Sequence, residues 1–335
     1  MPDPFLVLGT SDRADVLLTH SARIGRSAQI LEKDVWVCWV LDALFTMPGA
    51  LPMAFKGGTS LSKVYDAIDR FSEDVDITID YRHLDNSVDL FDASMSRNRQ
   101  DATSRRLRDL VKVHIEEVVV PHLQTRLSEE FGLEPKSVRY DDENVWVDYP
   151  SALQDRGEYV NDSVKLEFGG RNSIDPNERH HVAPYLSVLE TMTFPRPMVT
   201  VLAAERTFWE KATLIHSELN RAEFRSRVDR LSRHWYDLDQ LALRDIGKKA
   251  LGDRALLEDV VRVKKAFYRS STAKYDLCIA GELRLIPADD AVTQSLAQDY
   301  DEMIKARMFY DEPPNFDEIL QRLEAIERSV NAAFS

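Results

Sequence analysis

The stretch that most restricts what this chain can fold into runs from Leu51 to Asp80. Leu51 to Phe55 is short and apolar and reads as a buried strand. Gly57-Gly58 breaks it, and Thr59 or Ser60 is placed to cap a helix with the face Leu61, Val64, Tyr65 and Ile68. Val75 to Ile79 then alternates. Val75, Ile77 and Ile79 point one way, and Asp74, Asp76, Thr78 and Asp80 the other. That is a strand with one apolar and one acidic face, so it belongs to a sheet covered on one side.

The rest of the chain arranges itself around this stretch. Residues 27–46 read as a helix, with Leu31, Val35, Cys38, Leu41 and Phe45 at helical spacing, ended by Met47-Pro48-Gly49. A long helical pattern covers roughly 102–131, bent at Pro121. Val145 to Val147, Tyr159 to Phe168 and Tyr185 to Leu189 read as strands, and Gly169-Gly170 is expected to end the second. From about Val201 the pattern is helical, with Phe208, Ala212, Ile215 and Leu219 in one stripe. Further helical segments lie near 223–243, 255–270, 289–309 and 315–333. The expected division is an α/β domain over 1–200, with an N-terminal helix, and a helical domain over 201–335.

Composition removes several classes. With 44% hydrophobic and 30% charged residues, the chain is globular rather than disordered. No apolar run approaches the ~20 residues that span a bilayer, so no membrane role is expected. The N-terminal segment lacks a signal-peptide pattern, and two cysteines, Cys38 and Cys278, make no disulfide framework. A cytoplasmic protein is the expectation. The net charge of −14 disfavours unspecific coating of nucleic acid. Two segments run against that sign. Arg97 to Lys112 carries Arg97, Arg99, Arg105, Arg106, Arg108 and Lys112, and Arg221 to Arg233 carries five arginines.

Two constellations carry chemistry. In Lys56-Gly57-Gly58-Thr59-Ser60-Leu61-Ser62-Lys63, the N–H groups at a helix start favour an anion, and glycines let a phosphate approach the backbone. In Ser72-Glu73-Asp74-Val75-Asp76-Ile77, two carboxylates share one strand face and repel unless a cation lies between them. Hard oxygen donors of this kind suit magnesium, which also binds substrate phosphates. Two such ions activate an attacking hydroxyl and neutralise a leaving pyrophosphate. Taken singly, each also reads as something plainer: a capped turn, and a solvated acidic strand. A third strand, Val164-Lys165-Leu166-Glu167-Phe168, places Lys165 and Glu167 on one face, either as an ammonium and a third carboxylate for the same site or as a surface pair.

In this order, the motifs resemble the polymerase-β-like nucleotidyltransferases, and in particular the AbiEii/AbiGii toxins of type IV toxin–antitoxin and phage-abortive systems, to which the MenT toxins are related. The resemblance rests on Glu32 to Val37, Lys56 to Leu61, Arg70 to Ile77 and Glu205 to Lys211, with a weaker match at Arg233-His234-Trp235-Tyr236-Asp237-Leu238. It implies an α/β (α+β) core with a mixed sheet, followed by a helical C-terminal domain. By matching position, Ser60 would contact nucleotide phosphates and Ser72 would line the same pocket, with Gly57, Gly58, Thr59 and Lys63 expected as further nucleotide-binding residues. Asp74 and Asp76 would hold magnesium, with Glu167 a third candidate ligand. Lys165 would meet the triphosphate. Glu205 would be the acidic member of the last motif and Lys211 its basic, nucleotide-binding partner. Six residues apart on a helix, those two lie ~240° round the axis and cannot simply face one point.

The implied activity is transfer of a nucleoside monophosphate from an NTP to an RNA acceptor, the tRNA 3′ end in the MenT group, with a cognate antitoxin as partner. The two arginine segments then become RNA-backbone contacts or remain a solvated surface. Other readings are the same fold acting on a protein or small molecule, and a catalytically silent nucleotide binder. Trp36, Trp39, Trp209 and Trp235 sit at helical positions and read as core. Trp146 alternates away from its apolar neighbours Val145 and Val147 and reads as an exposed aromatic.

Overall fold

The computed structural model describes residues 3–72, 74–89, 96–154, 161–221, 230–268 and 270–334. The chain forms two compact units. One comprises Met1–Val64, Ser72–Val88 and Thr103–Val201, and the other Tyr65–Phe71, Asp89–Ala102 and Leu202–Ser335.

Up to residue 202 the chain forms β1 (Asp3–Pro4), α1 (Thr10–Ile24), α2 (Ala28–Phe45), β2 (Met53–Lys56), α3 (Gly57–Lys63), β3 (Asp74–Asp80), α4 (Tyr81–Leu84), α5 (Arg97–His114) and α6 (Val120–Phe131). It continues with β4 (Val138–Asp141), β5 (Asn144–Asp148), β6 (Ser163–Asn172), β7 (Asn177–His181), β8 (Met192–Thr193) and β9 (Met198–Leu202). Seven strands make one mixed sheet in the order β4-β5-β6-β3-β2-β9-β7. The aspartate strand β3 is central, parallel to β6 and antiparallel to β2. β4, β5 and β6 form an antiparallel meander.

Alternation sets the two faces of this sheet. Val75, Ile77, Val145, Val147, Val164 and Leu166 are at most 1% exposed, and the residues between them point the other way. Helix α2 is apolar almost all round, and every residue from Leu31 to Leu41 is buried, as befits a core helix. Its three charged residues in that run are buried too. Glu32 accepts the Ala152 N–H and the Ser151 hydroxyl, both at 2.7 Å. Asp34 accepts the Tyr185 N–H at 2.6 Å and pairs with Lys63.

Several expectations are corrected locally. Helix α3 starts at Gly57, with Lys56 as its cap residue and no side-chain cap; Thr59 and Ser60 lie inside its first turn. It stops at Lys63, because Asp66 takes a left-handed φ of 48° that a helix does not admit. Gly169-Gly170 does not end β6, which runs on to Asn172. A Cβ on Gly170 would lie 2.3 Å from Leu84 Cδ1 and 2.4 Å from Val111 Cγ2, so this glycine lets α4 and α5 close onto the strand. Tyr185–Val188 is a 3-10 turn rather than a strand, and Asp34 takes the N–H that a ladder would use. The long helix is interrupted by a π turn at Ile115–Val119, immediately before Pro121 in the first turn of α6.

From residue 204 the chain forms α7 (Ala204–Leu219), α8 (Arg233–Ala242), α10 (Arg254–Phe267), α11 (Asp290–Lys305) and α12 (Phe316–Ala333); of the segment expected as helical over 223–243, residues 222–229 lie outside the described residues and the helix begins only at Arg233. Between them lies α9 (Asp245–Gly252), which periodicity did not reveal. Gly247 comes within 2.5 Å (as a Cβ) of the Ala242 backbone, so α9 turns tightly off α8. Phe208, Ala212, Ile215, Leu238, Leu241 and Leu257 are fully buried in this unit. Among the described residues no helix is long and apolar enough to cross a membrane.

Candidate functional site

The face of the sheet opposite the core gathers the polar residues of β3 and β6 in register. Asp74 is paired with Lys165 and Asp76 with Glu167. Residues so paired point to the same side and stand about 4.8 Å apart, while Asp74 and Asp76 are about 7 Å apart along their strand. The four side chains therefore form one rectangular patch. On the flanks, Lys56 of β2 is paired with Asp76, and Trp146 and Asn144 of β5 with Lys165 and Glu167.

Lys165 Nζ donates to Glu167 Oε1, and the two side chains remain 32% and 40% exposed. Burial works against the lysine's charge. The hydrogen bond to Glu167 and the fields of Asp74, Glu167 and Asp76 outweigh it and raise the ammonium above its ordinary pKa. The Lys165 ammonium is thus held charged by three carboxylates.

Gly57 brings the helix start to this patch. Its φ is +79°, and a Cβ there would fall 1.9 Å from Asp76 Oδ2. Only glycine both takes the left-handed turn and leaves room for the carboxylate. Thr59 fixes the opposite edge. Its hydroxyl lies 3.0 Å from Ser72 Oγ and donates to the Asp74 carbonyl, tying the first turn of α3 to the start of β3.

The other expected residues each have protein partners. Ser60 is fully buried and donates to the Gly57 carbonyl at 2.9 Å. Lys63 has a side chain 3% exposed, pairs with Asp34, donates to the Ala183 carbonyl at 3.2 Å and sits 4.5 Å over the Tyr185 ring. In the second unit, Lys211 Nζ lies 2.7 Å from Asp237 Oδ2, and Glu205 Oε1 lies 3.8 Å from Lys249. Glu205 and Lys211 thus have separate partners.

Asp237 anchors a buried triad. Arg70 meets it in a bidentate pair, Nε to Oδ1 and Nη2 to Oδ2, both at 2.7 Å. Burial pushes the carboxyl up, yet Arg70 and Lys211 together hold it well below the usual carboxylate range. Burial pushes Lys211 down, against the pull of Asp237. Arg70 and Asp237 lie within the sequence motifs, but the motifs assign them no part. Lys56 and Asn144 likewise carry no sequence signal of their own, although alternation from the buried Phe55 and Val145 places them on this face.

The donor set suits a divalent cation in one respect. Asp74 and Asp76 offer hard oxygens from one strand face, and magnesium is commonly held by one or two carboxylates plus substrate phosphates. The space that Gly57 leaves at Asp76 fits the same use. Glu167 is engaged with Lys165, and among the described residues no group of three His, Cys, Asp or Glu side chains converges as a metal site.

Of the two basic segments, Arg97, Arg99, Arg105 and Arg106 are exposed. Arg106 pairs with Asp85 at 3.2 Å and Lys112 with Asp142. In the second unit Arg97 lines a cavity of about 580 Å³ with Arg262, Lys265 and Lys274, against Glu258 and Asp276. Residues 222–229 of the other segment lie outside the described residues; Arg221 pairs with Glu218 at 2.9 Å.

The carboxylate pair on the central strand thus has a registered lysine and a glycine corner beside it. The family model described as "Nucleotidyl transferase AbiEii toxin, Type IV TA system" matches residues 39–322, and the chain belongs to that family of nucleotidyltransferase toxins. Among solved structures it is similar to MenT4, a nucleotidyltransferase toxin from Mycobacterium tuberculosis H37Rv. Identity there is 17%, coverage 95% of this chain and 99% of that one, and the TM-score 0.43. No curated protein matches the chain.

Proposed function

We propose that this toxin transfers a nucleoside monophosphate from an NTP to an RNA acceptor, the 3′ end of a tRNA, using magnesium at Asp74 and Asp76. The observation that carries this reading is the register of β3 and β6, which puts Asp74, Asp76, Lys165 and Glu167 on one open face beside the Gly57-Gly58 corner. Bound there, the metal would neutralise phosphate charge and acidify the attacking ribose hydroxyl.

The chain's own residues do the rest. Gly57 and Gly58 let phosphate oxygens approach the backbone, and Thr59 with Ser72 holds that corner against β3. Lys165, kept protonated by its three carboxylate neighbours, faces charge that develops on the transferring phosphate and on departing pyrophosphate. Glu167 aims the ammonium. Ser60 and Lys63 belong to this reading as supports of the site rather than as phosphate contacts, since their polar atoms already have protein partners; Glu205 is proposed as a catalytic carboxylate and Lys211 as a nucleotide-binding lysine, each with a partner in its own unit. The exposed arginines of α5 and the cationic cavity lined by Arg97 supply charge for an RNA backbone. A cytoplasmic toxin of a defence system, restrained by its antitoxin, completes the proposal.

Label transfer from each α-labelled NTP, offered with magnesium to total RNA and to protein extract, tests it, with Asp74→Ala as control. Label in an RNA band that the variant fails to produce is the expected result. Label confined to protein would replace the acceptor. Nucleotide binding without any transfer would make the chain a silent binder.

A further inference from the structure

The five tryptophans divide sharply. Trp36, Trp39, Trp209 and Trp235 are at most 3% exposed, as core residues. Trp39, Trp209 and Trp235 donate their indole N–H to Glu130, the Ala250 carbonyl and the Leu285 carbonyl. Trp146 is different. It is partly exposed, lies on the open face of the sheet, and has no hydrogen-bond acceptor or aromatic neighbour among the described residues.

Its position follows from register. Trp146 is paired with Lys165, which is paired with Asp74, so the three lie in one row across β5, β6 and β3. The indole therefore stands two strand spacings, about 10 Å, from the carboxylate strand and about three from the β2 edge that leads into Gly57. On its other side Arg139 of β4 lies over the ring, 5.7 Å from the centroid. Asp148 holds that guanidinium through two hydrogen bonds of 2.9 Å. A partly exposed indole braced on one side by a guanidinium suits stacking, because every nucleobase has a π-face that such a ring accepts.

Resting on the nucleotidyl-transfer reading above, we propose that Trp146 is the nucleobase platform of this enzyme: the base of the incoming NTP stacks on its indole while the phosphates lie toward Asp74, Asp76 and the Gly57-Gly58 corner. The row then reads as one nucleotide laid across the strands, with Lys165 between base and triphosphate. Stacking is tolerant of base identity, so Trp146 supplies affinity for any NTP the enzyme takes and leaves the choice of base to other groups.

The test measures binding of the four α,β-methylene nucleoside triphosphates and of inorganic tripolyphosphate, with magnesium, to wild type, Trp146→Ala and Trp146→Phe. Trp146→Ala should weaken the best-bound nucleotide about tenfold or more and change tripolyphosphate by less than about twofold. Trp146→Phe should keep most of the affinity. Nucleotide should also quench indole emission in wild type and not in Trp146→Phe, the other four tryptophans being buried. Equal weakening of both probes would make Trp146 a structural residue and overturn the proposal. So would unchanged nucleotide binding in Trp146→Ala, including the case where only binding of an RNA oligonucleotide falls. A wild type that binds none of the nucleotides would instead sink the nucleotidyl-transfer reading beneath it.

Discussion

The patch on β3 and β6 and the triad of the second unit use the same chemistry to opposite ends. Asp237 is fully buried, and its two oxygens take a bidentate arginine and a lysine. Those charges are spent on one another, and the cluster holds its own unit together. On the sheet face Lys165 and Glu167 keep about a third of their surface in water, and three carboxylates act on the Lys165 ammonium, with Lys56 in register beside Asp76. The contrast teaches that residue type does not make a site; what matters is whether the charged groups are packed away or stay within reach of solvent.

Substitutions should separate the two clusters. Asp74→Ala or Asp76→Ala should lower transfer by about a thousandfold or more, about 4 kcal/mol of barrier, with the unfolding midpoint in urea unchanged. A variant that keeps full activity would break the assignment of the open patch.

Asp237→Asn should do the reverse in kind, costing about 3–5 kcal/mol of stability by leaving two buried cations without their carboxylate. The same residue gives a pH signature. Its folded pKa is depressed, so its contribution is complete above the ordinary carboxylate pKa of about 3.9 and is lost as pH falls toward the folded value. Acid titration of stability should be shallower below pH ~4 in Asp237→Asn than in wild type. Identical acid limbs would mean that the triad is not what steadies the unit.

Gly57→Ala sharpens the comparison at the site, since its Cβ would collide with Asp76 and the residue would keep a left-handed φ. Transfer should fall by about a hundredfold, with about 1–2 kcal/mol of strain seen in thermal unfolding. Lys165→Ala should reduce kcat by about tenfold to a hundredfold through lost charge stabilisation, leaving stability nearly untouched. An unchanged rate would turn Lys165 into a surface partner of Glu167. The smallest effect is expected from charge reversal at Arg97, Arg99 and Arg105. RNA binding should weaken and its dependence on salt should flatten, by about one unit of slope for each phosphate no longer neutralised. An unaltered slope would return α5 to the solvated surface.

Much of this was legible in the chain itself. Alternation placed Asp74 and Asp76 on one face and Lys165 and Glu167 on another strand's matching face, because side-chain period is a local property of a strand. It also set Trp146 apart from the four core tryptophans. Glycine was harder to read. Gly57 and Gly170 look alike in sequence as parts of Gly-Gly pairs, yet one makes a left-handed corner against Asp76 and the other sits mid-strand beneath Leu84 and Val111. Which role a glycine plays depends on what approaches it. Thr59 reads as a cap and turns out to fasten α3 to β3, since a hydroxyl takes the nearest acceptor in space.

The sequence by itself determined which residues face together and, through its motifs, the family of nucleotidyltransferase toxins. Tertiary structure decided which charges are buried against one another and which stay exposed. Asp34 neutralises Lys63 from 29 positions away, and Asp237 engages Arg70 from 167 positions away. Pairings at such separations leave no trace in local spacing, because they are set by the packing of α2 against its neighbours and of α8 within its unit. Register acted in the same way. Alternation fixed the faces of β3, β5 and β6, but only the hydrogen-bonded ladder put Asp74, Lys165 and Trp146 in one row.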